Sequence, residues 1–150
     1  EHRFAREAPV SDSDLEAIRQ VKARYFRLMD QKRWDEWSRL FTEDVVFDVS
    51  DDVPGSEPIR GRNTVVERVR NAIGAARTVH HGHMPELEIT GPTTARGIWA
   101  MEDYVEFPPA ADGKRRAFRG YGHYEEEYVK ETGGWRIARL RLRRIRIDWL

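Results

Sequence analysis

Regular alternation of apolar and polar residues runs through the second half of the chain and constrains the fold more than any other feature. One alternating segment spans residues 95–107, another spans 116–130, and a last one spans residues 135 to about 147. A shorter segment around Leu87 precedes them, and short turns containing glycine or proline separate them. Because successive side chains of a strand point to opposite faces of a sheet, this pattern predicts a meander of antiparallel strands.

Helical spacing of apolar residues characterises the first half. Residues 11–14 offer helix N-cap side chains, and an amphipathic helix is expected to follow them and to end near Asp30. A shorter helix is expected over residues 34–41, a strand over 45–50 and a third helix over 61–75. Helices first and antiparallel strands afterwards predict the α+β class.

Size and charge exclude several classes of function. The 150 residues suffice for one domain, expected at residues 11–150, preceded by a flexible N-terminal arm at 1–10. The 26 basic and 26 acidic residues balance, so the chain has no net positive charge that would attract nucleic acid or an anionic membrane surface. Cysteine is absent, which excludes disulfides and thiolate zinc sites. No membrane-spanning segment or signal peptide is recognised, and we expect a cytoplasmic protein.

Two carboxylates stand at or near apolar faces. Asp103 lies on the face of the 95–107 segment that also carries Trp99 and Met101, and burying a bare charge there is costly. It therefore forms a structural ion pair, lies near solvent after a bulge, or faces a functional cavity. Asp30 falls about 40° beyond the apolar arc of the first helix, a position that suits either a group lining a pocket or an ordinary polar helix end.

Residues 78–83 hold three of the five histidines. Metal binding is a weak interpretation, because neighbouring strand positions point to opposite faces and no HExxH spacing occurs, and we expect no metal. His80 is instead a candidate general base, whose tautomer a carboxylate from Asp30 or Asp103 would fix. A buried histidine bonded to a backbone carbonyl is the structural alternative.

Glycines and arginines mark the last two strands. Gly120 and Gly122 flank Tyr121 and leave room for a bulky group, or they mark a sharp bend. Six arginines stand between residues 136 and 146, and their alternation with apolar residues favours a ladder of paired charges or a subunit interface over nucleic-acid binding. Strict alternation places Arg139, Arg141 and Arg143 on the face of Trp135 and Ile137, and Leu140, Leu142 and Arg144 on the other.

The order of these elements and several short motifs resemble the SnoaL-like branch of the nuclear transport factor 2-like superfamily. The motifs are YFRLMD at 25–30, WDEW at 34–37, LFTEDV at 40–45, PIRG at 58–61, TVHH at 78–81, ARGIW at 95–99 and GWRI at 134–137. The resemblance implies a cone-shaped α+β fold, with a curved antiparallel sheet wrapped around a long N-terminal helix. It also implies a deep apolar pocket at the wide end of the cone.

The resemblance further implies an activity. Scytalone dehydratase, bile-acid 7α-dehydratase and hexachlorocyclohexane dehydrochlorinase work without a cofactor, using a few polar residues inside the cone. Transferred to this sequence, their pattern implies that Asp30 and His80 form a catalytic dyad and that Tyr25 and Asp103 are further catalytic residues. We expect a cofactor-independent lyase or isomerase that dehydrates, or carries out a related elimination on, an alicyclic, steroid- or polyketide-like substrate. A polyketide cyclase and a non-catalytic small-molecule-binding or assembly module are the alternatives.

Substrate contacts and partners complete the expectations. The residues expected to bind the hydrophobic cyclic substrate are Trp99, Met101, Phe47, Tyr121, His83, His123 and Arg141, with Val105 in the apolar wall. Arg139 and Arg143 compete with Arg141 for the place of the pocket arginine. Leu140, Leu142 and Ile145 suggest a homodimer or homotrimer that forms through the outer face of the sheet. No nucleic acid, membrane, metal or cofactor is expected as a partner.

Overall fold

Helix α1 (Asp12–Asp30) opens the part of the chain that this computed structural model describes, residues 12–150. The predicted flexible arm, residues 1–10, lies outside the described residues. Asp12 and Asp14 lie in the first turn, where the helix dipole favours carboxylates. The residues of the buried face recur at helical spacing, and they are Ile18, Val21, Lys22, Tyr25, Phe26, Leu28 and Met29.

The later elements form one sheet with two more helices. In chain order they are α2 (Trp34–Ser38), β1 (Phe41–Asp48), β2 (Ile59–Arg60), α3 (Arg62–Ile73), β3 (Arg77–Gly91), β4 (Thr94–Phe107), β5 (Arg116–Glu131) and β6 (Gly134–Trp149). The strand order is β2-β1-β6-β5-β4-β3, with β1 and β6 parallel and all other neighbours antiparallel. Helix α1 packs on both β3 and β6, and bulges bend the strands. The predicted α+β fold is confirmed; β2 and β3 do not pair, so the curved sheet is not closed.

The second helix is shorter than predicted. Helix α2 ends at Ser38, and β1 already begins at Phe41, where the backbone N–H of Ile137 donates to Leu40 O at 2.8 Å. The chain pairs with β6 where the helical spacing predicted another turn of α2. Phe41 is still buried, because its side chain points into the core from the strand as well. Among residues 12–150, no helix combines the length and the apolar composition that a membrane span requires.

Aromatic side chains fill the core between the first two helices and β1. The ring centroid of Trp37 lies 4.7 Å from that of Phe41 and 6.4 Å from that of Phe47. Burial of an aromatic or aliphatic side chain of this size contributes about 1.5–3 kcal/mol relative to exposure. Phe47 was predicted to bind substrate; its ring is enclosed in this cluster, and the substrate contact stays a prediction.

A bulge reverses the side-chain alternation of β6. Glu127 of β5 lies opposite Arg139 and the next residue, Tyr128, lies opposite Ile137, so Ala138 is an extra residue of β6. An inserted residue moves every later side chain to the other face. Beyond the bulge, the residues that point inward are Leu140, Leu142 and Arg144, and the arginines that point outward are Arg139, Arg141 and Arg143.

This reversal removes two of the three apolar residues from the surface through which the predicted oligomer would form. Leu140 and Leu142, expected on the outer face of the sheet, are core residues that are 0% and 5% exposed. Of the three residues on which the expected homodimer or homotrimer rested, only Ile145 is exposed. The oligomeric state stays a prediction.

Candidate active site

The carboxylate at the end of α1 meets a histidine of the edge strand β3. Asp30 is the last residue of α1, and His80 lies on β3 with a side chain that is 7% exposed. His80 Nδ1 lies 2.6 Å from Asp30 Oδ1, and the backbone N–H of His80 donates to Asp30 Oδ2 at 2.9 Å. The packing of α1 on β3 thus joins two residues that are 50 positions apart in the chain.

The contact with Asp30 determines which nitrogen of the His80 ring is free. A carboxylate oxygen accepts hydrogen bonds, so Nδ1 of the neutral ring carries the proton and Nε2 keeps its lone pair. Nε2 lies 3.8 Å from Asp103 Oδ2 on the adjacent strand β4, which is too far for a hydrogen bond. Nε2 is therefore available to accept a proton, and the resulting imidazolium would have a carboxylate on each side.

Thr78 and Lys32 support Asp30 from the start of β3 and from the end of α1. Thr78 Oγ1 donates to Asp30 Oδ1 at 2.9 Å and accepts from Lys32 Nζ at 2.8 Å. Lys32 adopts a φ of 60°, in the left-handed region, where its backbone N–H bonds to Met29 O as the helix ends. Partial burial lowers the pKa of Lys32, and the neighbouring Asp30 carboxylate opposes that shift. The sequence offered no signal for this pair, because the contact depends on how the end of α1 meets β3.

Arg144 is the main site residue that sequence reasoning missed. Its Nη1 donates to Asp103 Oδ1 at 2.7 Å and its Nη2 to Asp103 Oδ2 at 2.8 Å, a bidentate pair with 7% and 3% exposed side chains. Burial disfavours the charged guanidinium, but hydrogen bonds from Arg144 to Asp103 and Asp52 raise its pKa above the usual value. Because the guanidinium only donates, Asp103 accepts through both oxygens. Both oxygens of Asp103 are thus occupied by the guanidinium.

The two glycines of β5 are required for different reasons. Asp103 lies opposite Gly120, and a Cβ on that glycine would collide with both Asp103 and Arg144. Gly122 lies opposite Arg144, and a Cβ there would collide with the backbone of Arg143 at the second bulge of β6. Gly120 thus leaves room for an ion pair, and Gly122 belongs to a bend.

A groove of about 620 Å³ lies between α1 and β3, next to the Asp30–His80 pair. Its apolar walls are Phe26 of α1 and Trp99 of β4, and His83 lies at its rim with a half-exposed side chain. A Cβ on Gly82 would lie 2.5 Å from the Phe26 ring and 3.3 Å from Trp99, so this glycine allows the two walls to approach. Asp30, His80, His83 and Trp99 are therefore the predicted site residues that the structure brings together at one groove.

A buried polar network occupies the interior behind the groove. Lys22 Nζ lies 2.9 Å from Glu126 Oε2, and both side chains are 0% exposed. Tyr128 donates to the other oxygen of Glu126 at 2.8 Å, and Trp99 Nε1 donates to the Tyr128 hydroxyl at 2.9 Å. Burial lowers the pKa of Lys22 to about 8, although Glu126 opposes the shift. The network fixes the indole that forms one wall of the groove.

Tyr25 belongs to this interior rather than to the groove. It is 2% exposed, Lys22 Nζ lies 3.7 Å from its ring centroid, and the ring centroid of Tyr124 lies 5.8 Å from its own. Burial raises the pKa of Tyr25 well above its usual value, so the phenol stays protonated. Tyr25 was predicted to be a further catalytic residue; its phenol lies in this interior and does not line the groove, and its catalytic role stays a prediction.

Four of the predicted substrate contacts lie away from the groove. Met101 is buried beneath Arg144, with its sulfur 3.8 Å from Nη1, and does not line the groove. Tyr121 and His123 follow the outward positions of β5, and Tyr121 lies beside Val79 and Glu102 on the outer face. Arg141 also points outward, where its Nε lies 3.8 Å from Asp48 Oδ2. Tyr121, His123 and Arg141 point outward because β5 presents its glycines inward and β6 contains the bulge at Ala138. The four substrate contacts stay predictions.

Metal ligands are not clustered in the described residues. Within 12–150, no group of three or more histidine, aspartate or glutamate side chains is arranged to hold a metal ion. His81 and His83 both lie near the exposed Glu102, at 3.6 and 3.5 Å from one of its oxygens. The chemistry next to the groove is that of an imidazole, carboxylates and a guanidinium.

Several solved structures share this fold. The Kfla4162 protein of Kribbella flavida is 22% identical over 91% of this chain and 94% of its own, with a TM-score of 0.82. A putative scytalone dehydratase of Novosphingobium aromaticivorans is 20% identical over 91% and 87%, with a TM-score of 0.79. The hexachlorocyclohexane dehydrochlorinase LinA-type3 of Novosphingobium barchaimii is 18% identical over 93% and 94%, with a TM-score of 0.76.

The family assignment rests on the sequence match. The model of the SnoaL-like domain family matches residues 12–141, from the first turn of α1 to the middle of β6. This range includes Asp30, His80 and Asp103, and it ends shortly before Arg144. The chain therefore belongs to the SnoaL-like domain family.

Proposed function

We propose that this chain is a lyase or isomerase that uses no cofactor and in which His80, held by Asp30, is the general base. The observation that carries the proposal is the 2.6 Å contact between His80 Nδ1 and Asp30 Oδ1 beside an apolar groove. A neutral imidazole whose tautomer is fixed by a carboxylate is suited to remove a proton from carbon near neutral pH. The buried ion pair of Asp103 with Arg144 supplies the polar surroundings.

The reaction that fits best is the elimination of water from a ring compound. His80 Nε2 takes the proton from the carbon next to a carbonyl, and the C–H electron pair forms the new double bond as the C–O bond to the hydroxyl breaks. The departing hydroxyl then takes the proton from the imidazolium and leaves as water, so that His80 returns to its neutral form. Since Tyr25 and Tyr121 lie away from the groove, His80 acts as both base and acid.

The shape of the groove supports a cyclic substrate. Its volume of about 620 Å³ lies in the range of small-molecule sites, and the rings of Phe26 and Trp99 provide flat apolar walls. A putative scytalone dehydratase and a hexachlorocyclohexane dehydrochlorinase share the fold; the first name denotes a loss of water, and the second denotes a loss of hydrogen chloride from a ring compound. We therefore propose an alicyclic, steroid- or polyketide-like substrate. General base catalysis gives about 10²–10⁴-fold, so the groove must also orient the substrate.

The test is a screen with matched variants. Purified protein is incubated with a panel of cyclic β-hydroxy ketones, and the loss of water is followed by mass spectrometry. We expect turnover by the wild type, none by Asp30→Asn or His80→Gln, and unchanged turnover by His123→Gln, since His123 lies on the outer face. Turnover that persists in both the Asp30→Asn and the His80→Gln variants would overturn the dyad.

A ligand-binding module is the second candidate function. The observation that favours it is the interior behind Trp99, which Lys22, Tyr25 and Glu126 fill with buried side chains, so that the space for a ligand beside His80 is an open groove. The same screen separates the two functions. A panel compound that quenches the fluorescence of Trp99 in the wild type but not in Trp99→Phe, and that is never converted, would support binding alone.

A further inference from the structure

Arg144 is held by two carboxylates of different kinds. Asp103 binds the end of the guanidinium through Nη1 and Nη2, and it is 3% exposed. Asp52 binds the side of the guanidinium, accepting from Nε at 2.7 Å and from Nη2 at 3.3 Å, and it is 32% exposed. The first contact is part of the buried core, and the second is made from the surface.

Charge balance requires only the first of these contacts. One guanidinium and one carboxylate already cancel, and Asp103 cannot leave Arg144 without being stranded as a buried charge. Asp52 adds a second negative charge to the same guanidinium, and water can solvate it when it leaves because it is partly exposed. Asp52 is therefore the replaceable partner of Arg144.

The position of Asp52 in the chain also allows it to withdraw. It lies in the connection between β1 and β2, residues 49–58, of which residues 51–55 are exposed. Within this connection the N–H groups of Asp52 and Val53 bond to Val49 O, so Asp52 sits on a short turn. Asp51 accepts from the backbone N–H of Arg144 at 2.9 Å, which tethers the turn next to the guanidinium.

The side of Arg144 that Asp52 covers is close to the proposed base. Asp103 Oδ2 contacts both Arg144 Nη2, at 2.8 Å, and His80 Nε2, at 3.8 Å. A single carboxylate oxygen thus separates the guanidinium from the nitrogen that takes the proton.

We infer that the Nε–Nη2 side of Arg144 is a subsite for an anionic oxygen of the substrate, and that Asp52 occupies it when no substrate is bound. The inference rests on the proposed function and extends it, since it assigns the enzyme a substrate with a carboxylate or an enolate oxygen on its ring. In this account Asp52 is a specificity-determining residue. It is displaced by an anion, and a neutral group does not displace it.

The subsite is tested by anion binding, without turnover. Cyclohexanecarboxylate and its neutral methyl ester are titrated into ¹⁵N-labelled protein, and the Arg144 Nε–H signal, assigned with Arg144→Lys, is followed by NMR. We expect Asp52→Asn to bind cyclohexanecarboxylate about tenfold more tightly than the wild type, which corresponds to the removal of one competing charged contact. The ester should show no gain. Glu57→Gln removes the same charge from the same exposed connection and should leave both affinities unchanged.

The outcomes of these titrations distinguish the proposed Arg144 subsite from the proposed role of His80 as the general base. The titrations are repeated in the His80→Gln background, where the gain from Asp52→Asn should persist because it does not depend on His80. No gain, an equal gain with Glu57→Gln, or an equal gain with the ester would overturn the subsite. None of these results bears on whether His80→Gln abolishes turnover, so each proposal fails by its own measurement.

Discussion

Asp103 of β4 and Arg144 of β6 pair through hydrogen bonds of 2.7 and 2.8 Å across the strand that separates them, β5. Gly120 and Gly122 are the β5 residues opposite the two partners, so no side chain of β5 stands between them. The ion pair brings a guanidinium into a buried position next to His80, and the glycines are the sequence feature that permits it.

Gly120→Ala should separate this ion pair. A methyl group there collides with the charged ends of Asp103 and Arg144, and overpacking of this kind costs about 1–3 kcal/mol. We expect the free energy of unfolding in urea to fall by that amount and the Arg144 Nε–H signal to move. An unchanged stability together with an unchanged Arg144 signal would show that the pair tolerates a side chain on β5.

Thr78→Val should weaken the dyad. The change removes one of the hydrogen bonds to Asp30 Oδ1 and leaves Lys32 Nζ without its acceptor, and a hydrogen bond to a charged group is worth about 1.5–3 kcal/mol. We expect a drop of at least tenfold in kcat with little change in KM. Thr42→Val is the matched control, because the buried Thr42 hydroxyl has no hydrogen-bond partner among the described residues. Equal effects of the two substitutions on kcat would contradict a positioning role for Thr78.

Lys22 and Glu126 should behave as a coupled pair. Removing one partner leaves a buried charge uncompensated and costs about 3–5 kcal/mol, whereas replacing both is often neutral. We expect Lys22→Met and Glu126→Gln each to lower the free energy of unfolding by several kcal/mol, and the double variant to lower it by much less. In the double variant, the amide oxygen that replaces the Glu126 carboxylate can still accept from Tyr128. Additive losses in a double-mutant cycle would rule out the coupling.

The buried amine of Lys22 also gives stability a pH dependence. Its pKa is about 8 in the folded protein and 10.5 in a free side chain, so the unfolded chain binds more protons between these values. Stability therefore rises with pH above about 8. The buried tyrosines have raised pKa values and oppose the rise above 10.0, where unfolded tyrosine ionises. Urea unfolding between pH 8 and 10 should show this rise in the wild type and not in Lys22→Met, and parallel curves would contradict it.

Regular elements and their inward faces were predictable from the sequence. The alternation of β4 placed Trp99, Met101 and Asp103 on one face, and all three are buried there. The spacing of α1 placed Asp30 beside the apolar face, where it now reaches β3. In both cases local periodicity alone decides the direction of a side chain.

Features that depend on pairing between strands were not predictable. The extra residue Ala138 moved Arg144 inward and Arg141 outward, and no local signal in β6 marks the bulge. Lys22 shares the helical spacing of the apolar residues of α1. Lysine is seldom buried, so this spacing does not predict a core position for it. Its partner Glu126 is one of three consecutive glutamates, and only the register of β5 distinguishes it.

The most direct test of the account is the tautomer of His80, measured by long-range ¹H–¹⁵N NMR of the imidazole nitrogens and assigned with His80→Gln. With Asp30 accepting from Nδ1, the neutral ring should carry its proton on Nδ1 and leave Nε2 bare, and Asp30→Asn should weaken that preference. A neutral His80 protonated on Nε2 in the wild type would contradict the account, because the nitrogen facing Asp103 and Arg144 would then have no lone pair with which to take a proton.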